Sequence, residues 1–207
     1  MNIPLWLSKH FNESEVASVE VAVGEAEKVT KAEIVPVVTR KATSPQRTDL
    51  NRLGAILQVL FYGLLIAVVA TGDQSNLVIV AVIGIGLAKF RTQVIKSKYL
   101  DSLVWQRAVR EFQESKMYKT VNQTGVMIFL SLEDKKVVIL ADPRVDEKVP
   151  KGTWDQLSNY MVEEISKNGV PKAFVSTIQE LSCILAGAVP KENDLVDELP
   201  NQLVIKE

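Results

Sequence analysis

The chain is expected to fold as an α/β domain interrupted by a transmembrane helical hairpin. Three observations lead there: amphipathic helical segments alternating with short β-branched runs, a 38-residue apolar block at Leu53–Phe90, and basic residues on both flanks of that block. The boundaries follow: 1–52 as the N-terminal part of the domain, 53–90 as the hairpin, and 91–207 as the C-terminal part.

The first element is a helix over Glu13–Thr30. Val16, Val19, Val23 and Ala26 recur at helical spacing, and Asn12 with Glu15 has the spacing of a capping box. Glu33–Arg40 (EIVPVVTR) is of strand length and rich in β-branched residues. Pro36 inside it lacks an N–H for a ladder, which weakens the strand pattern or moves the expected strand toward a sheet edge. Thr43-Ser44-Pro45 then breaks the chain.

Residues 53–71 form an apolar run of 19 residues, close to the ~20 that cross a bilayer core. A polar turn, Gly72–Asn76, separates it from a second run, Leu77–Phe90. That run is shorter, so local bilayer thinning, snorkelling of Lys89 and Arg91, or a re-entrant path must accommodate it. Two buried helices of a water-soluble domain are the competing reading, but neither run has a polar face. Arg40, Lys41, Arg47 and Arg52 precede the block, Lys89 stands at its end with Arg91, Lys96 and Lys98 after it, and the turn carries no Lys or Arg. This bias predicts that both ends lie in the cytoplasm.

After the block, Tyr99–Met117 is amphipathic, with Leu100, Leu103, Val104, Ala108 and Phe112 on one face. Thr124–Leu132 and Lys136–Ala141 read as strands joined by a short turn at Glu133-Asp134-Lys135. The first is apolar throughout, as a central strand should be, so it is expected between Glu33–Arg40 in parallel and Lys136–Ala141 in antiparallel. Thr153–Lys167 and Lys172–Ala188 read as helices, with Asn168-Gly169 ending one and Pro171 opening the other. The tail from Pro190 is acidic and turn-rich.

Charge is nearly balanced, 24 basic against 25 acidic residues, which speaks against nucleic-acid binding. No nucleotide-binding glycine loop is present. His10 is the only histidine and lies outside the expected core, so nucleophilic triads have little to work with. Cys183, the only cysteine, falls in the periodic stretch Phe174, Ile178, Leu181, Leu185 and is expected in the core. The basic side chains Arg107, Arg110, Lys116 and Lys119 are placed to meet anionic headgroups if the hairpin is inserted, although an ordinary exposed helix face looks the same.

The candidate chemistry lies in the acids after the last strand. Asp142, Asp146 and Glu147 offer hard oxygen ligands for Ca²⁺ or Mg²⁺, and ligands in α/β sheets tend to gather at strand ends. The bland reading has Asp142 opening an Asx turn and the other two in a solvated loop. The loop lacks the glycine and acidic spacing of a recognisable cation loop, which favours that reading.

In order, Ala26-Glu27-Lys28-x-Thr30-x-Ala32-Glu33-Ile34-Val35-Pro36-Val37-Val38, Ala108-x-x-x-Phe112, Thr124–Leu132, Val138–Asp142, Val149-Pro150 with Trp154, Leu185-Ala186 leading to Pro190, and Asp197–Asn201 resemble the TPM domain family in its short bacterial membrane-anchored form. The resemblance implies a Rossmann-like αβα domain. It also implies links to photosystem II repair and other membrane-complex maintenance, with acid-phosphatase activity or bound calcium in some members. Gln123-Thr124-Gly125 replaces the acidic-Asn-Gly of many members, and Asp142-Pro143-Arg144-Val145 replaces a glycine-containing loop. Only Asp142 carries over as a site residue. The expected role is thus a membrane-anchored accessory or scaffold whose partners are the bilayer and other membrane proteins, with a divalent-cation-dependent phosphatase as the alternative.

Overall fold

The computed structural model describes residues 3–42, 56, 59, 99–115, 124–191 and 200–206. The chain divides into two compact units, one of Met1–Ala42 with Val104–Glu207 and one of Thr43–Leu103. Ile56, Val59 and residues 99–103 are the described part of the second unit, and all are helical. The rest of the 53–90 block lies outside the described residues. Among those described, no helix is long and apolar enough to cross a membrane.

The first unit is α/β. Its elements in chain order are α1 (Glu13–Ala26), β1 (Glu33–Thr39), α2 (residues 99–114, of which 104–114 belong here), β2 (Gly125–Ser131) and β3 (Lys136–Ala141). The short α3 (Pro143–Asp146), α4 (Thr153–Asn168), α5 (Val170–Ala188) and β4 (Val204–Lys206) follow. The four strands lie in the order β3-β2-β1-β4.

α1 starts as its residues require. The Glu15 amide donates to Asn12 Oδ1 at 2.8 Å, and the Asn12 amide donates to Glu15 Oε2 at 2.8 Å. Each thereby satisfies a donor that the first helical turn leaves open. Val16, Val19, Val23 and Ala26 are all buried. The helix stops at Ala26 rather than Thr30, because Val29–Lys31 pairs with the chain after α5. The Lys31 amide donates to the Val189 carbonyl (3.1 Å), and Thr30 Oγ1 donates to the same oxygen (2.6 Å).

β2 is central and buried along its whole length, parallel to β1 and antiparallel to β3. Alternation along the strands builds two faces. Ile34, Val38, Val126, Ile128, Leu130 and Ile139 join α1, α4 and α5 in one core. Phe11 and Phe174 meet there with ring centroids 6.2 Å apart. Val35, Val37, Met127 and Phe129 face the other way and are buried too, as are Val104 and Ala108 of α2.

β1 is not an edge strand, contrary to the expectation from Pro36, because β4 pairs with it in parallel. The geometry shows why proline is tolerated. The Glu33 amide bonds Thr124 on the β2 side, so odd-numbered residues of β1 face β2 and even-numbered ones face β4. β4 begins opposite Val37. The missing N–H of Pro36 therefore falls just short of β4, where no ladder bond is forfeited. Further back, Glu27 Oε1 accepts the Ile34 amide at 2.8 Å. A side chain thus replaces the strand that does not reach so far.

Cys183 is exposed rather than in the core. Leu181 and Leu185 face inward on α5, and a residue two positions past Leu181 points nearly the opposite way. His10 is also exposed.

Candidate functional site

Asp142 directly follows β3, and β3 runs antiparallel to β2. It therefore sits at the amino ends of the parallel strands, beside Gly125 and Glu33, and not at the carboxyl ends where α/β sheets usually gather ligands. Asp142 is nearly solvent-free, and the Asx turn expected of it does not form: no amide of α3 reaches its side chain. Its Oδ2 instead accepts the Gly125 amide at 2.8 Å, while its own amide donates to the Gly125 carbonyl at 2.8 Å. The carboxylate thus serves as the last rung of the β2–β3 ladder. Burial raises the Asp142 carboxyl above its usual 3.8, and the hydrogen bond from Gly125 pulls in the opposite direction.

The other two acids are engaged differently. Asp146 Oδ1 accepts the indole N–H of Trp154 at 2.7 Å, tying α3 to the start of α4. Glu147 caps α3 through its backbone and is exposed. Among the described residues, no group of three His, Cys, Asp or Glu side chains is placed to hold a metal ion. As arranged here the three acids do not fit Ca²⁺ or Mg²⁺, which need several oxygens converging on one point.

At the same amino end lies a cleft of about 690 Å³, lined among others by Glu27, Thr30, Glu33, Thr124, Lys191 and Asn201. Glu27 and Glu33 are largely buried. Lys191 Nζ donates to the Glu27 carbonyl at 2.7 Å, so cationic and anionic groups share the walls. These residues come from four separate stretches of chain, and Glu27, Thr30, Glu33, Thr124 and Asn201 fall in segments that carry the family resemblance, although their types and spacing alone do not mark a site.

The carboxyl end of the sheet holds a second polar cluster. Glu111 follows Val104 and Ala108 at the i+7 position on the inward face of α2 and is buried. Arg107 Nε donates to its Oε1 at 2.8 Å, and Lys206 Nζ lies 3.1 Å from its Oε2. Arg107 is thus drawn toward a buried carboxylate, whereas Arg110 is exposed. Lys116 and Lys119 lie outside the described residues. Close by, Ser131 Oγ donates to Asp134 Oδ2 (2.8 Å), which also accepts the Ala42 amide (2.9 Å) where the chain leaves β1.

No curated protein matches the chain. Among solved structures, it is similar to the NMR structure of BA42 from the psychrophilic bacterium Bizionia argentinensis. The two share 21% identity over 95% of each chain, with a TM-score of 0.62, a likeness of fold. The TPM domain matches residues 63–183, more than half of the sequence. That span omits the Ala26–Val38 opening but contains the Ala108–Phe112, Thr124–Leu132 and Val138–Asp142 segments. On this match, the chain belongs to the TPM domain family.

Proposed function

We propose that this protein is a membrane-anchored, non-enzymatic accessory of membrane-protein complexes. In this reading a Rossmann-like αβα TPM domain is split by a hairpin at 53–90. The domain and both termini lie on the cytoplasmic face of a bacterial inner membrane, and the partners are other membrane proteins and the bilayer itself. The observation that carries the non-enzymatic part is the engagement of Asp142. The one acid that the family resemblance brings to the site spends its buried oxygen on a backbone amide, and Asp146 spends one on Trp154. Phosphoryl transfer needs cation-held oxygens converging on one phosphate. The anchor rests on hydropathy and on the eight flanking Lys/Arg.

The alternative is a divalent-cation-dependent phosphatase. What favours it is a buried carboxyl raised above its usual value, at the same end of the sheet as a cleft that it does not line, since perturbed acids gather at functional sites. Hydrolysis of p-nitrophenyl phosphate by the purified full chain, with and without Mg²⁺ or Ca²⁺, separates the two. The accessory reading expects background rates in wild type, Asp142→Asn and Asp142→Ala alike. Cation-dependent turnover that a folded Asp142→Asn variant loses would overturn it.

A further inference from the structure

The two edges of the sheet are finished very differently. On the β4 side, the strand is three residues long, Glu27 occupies the next free amide of β1, and Pro36 removes another. Shortness, proline and charge are the usual means of blunting an edge. The β3 side has almost none of these. Lys136–Ala141 is a six-residue strand (KVVILA) with one charge, at its first position, and no proline. Among the described residues it pairs with β2 and with no strand on its outer side.

The register shows which groups point away from β2. The Asp142 amide bonds Gly125, so even-numbered residues of β3 face β2, and Val137, Ile139 and Ala141 present their N–H and C=O outward. No hydrogen bond to another described residue takes up these three amides. Such a row of alternating donors and acceptors is satisfied by water or by one more extended chain.

We propose that β3 is a homodimer edge, pairing antiparallel with β3 of a second copy about a two-fold axis through Ile139. The strand is self-complementary in that register. Val137 of one copy faces Ala141 of the other, Ile139 faces Ile139, and about six new hydrogen bonds form from the three outward residues of each copy. Side chains agree with the backbone. Val138 and Leu140, both half-buried, lie on the sheet face of Phe129 and Met127 and come opposite each other across the axis, so the apolar area each leaves uncovered is covered by its counterpart. The pairing also ends cleanly. Lys135 turns the chain away at φ 52°, and Pro143 begins α3 without an N–H to offer. This inference is independent of the function proposed above.

The test is the molar mass of the full chain, by light scattering on a sizing column at about 100 μM with the mass of any detergent subtracted. It is joined by amide exchange at Val137, Ile139 and Ala141. The mass should be twice the chain mass, and the three amides should exchange at least tenfold faster after dilution to monomer. Val137→Pro, whose lost N–H points away from β2, should be monomeric with unchanged far-UV circular dichroism. If that variant fails to fold, the exchange experiment on wild type still decides. A monomer at 100 μM, or a dimer whose three amides exchange as an open edge does, overturns the proposal.

Discussion

The carboxylate of Asp142 and the amide of Gly125 meet at 2.8 Å across the end of the β2–β3 ladder, in a nearly solvent-free position. A strand pair is thus closed by a side chain, and stability should depend first on an acceptor being present there. Asp142→Ala leaves the Gly125 N–H buried without a partner and should cost about 1–3 kcal/mol. Asp142→Asn keeps a carbonyl acceptor and should stay within about 1 kcal/mol of wild type. Urea unfolding followed by circular dichroism measures both. Equal destabilisation by the two variants would contradict the bond's assigned role.

The same residue gives a pH dependence with a definite sign. Burial, the larger cause, raises the folded carboxyl above 3.8, so between the unfolded and folded values the native state binds more protons than the unfolded one. The contribution of Asp142 is therefore fully present below the unfolded value and is lost as pH rises through the folded value. Wild type should gain stability relative to Asp142→Asn on acidification from neutral pH toward 3.8, with the gap flat well above the folded value. Denaturation midpoints of the pair across that range check it, and a gap moving the other way would mean that the hydrogen bond outweighs burial.

Glu111 ties α2 to β4 through Lys206 and carries Arg107 beside it. Removing a buried carboxylate leaves its cations uncompensated, at about 3–5 kcal/mol where all partners are buried. Here both cations keep partial contact with water, so Glu111→Ala should cost nearer about 1–3 kcal/mol. Lys206→Ala should cost under about 1 kcal/mol. The first variant should also speed amide exchange at Val204–Lys206, which a purely local effect on α2 would leave unchanged.

Much of this fold was legible in local pattern. The capping box, the buried stripe of α1, the parallel and antiparallel neighbours of β2 and the bounds of β3 all rest on short-range periodicity and turn chemistry. What was missed is tertiary. β4 offers only Val204 and Ile205 as β-branched residues and exists because β1 supplies a partner. Pro36 looked like an edge marker, since its tolerance depends on where β4 starts. Glu111 hid in plain view: Val104, Ala108 and Glu111 share one face, but a glutamate on an apolar stripe is ordinarily read as its margin. The position of Asp142 at the end of β3 is legible in the sequence. Which end of the sheet that was, and that Gly125 was waiting there, depended on strand direction.

An anchor at 53–90, with both parts of the split domain on one side of the membrane, can be tested by thiol labelling. Cys183 is exposed and must first be changed to Ser so that it does not report. In that background, Ser75→Cys should react with an impermeant maleimide in intact cells, whereas Ser44→Cys and Ser102→Cys should react only after permeabilisation. The expected asymmetry follows from four Lys/Arg on each side and none in the segment 72–76. Labelling of Ser102→Cys from outside would contradict the cytoplasmic assignment, and release of the protein by carbonate washing would contradict the anchor itself.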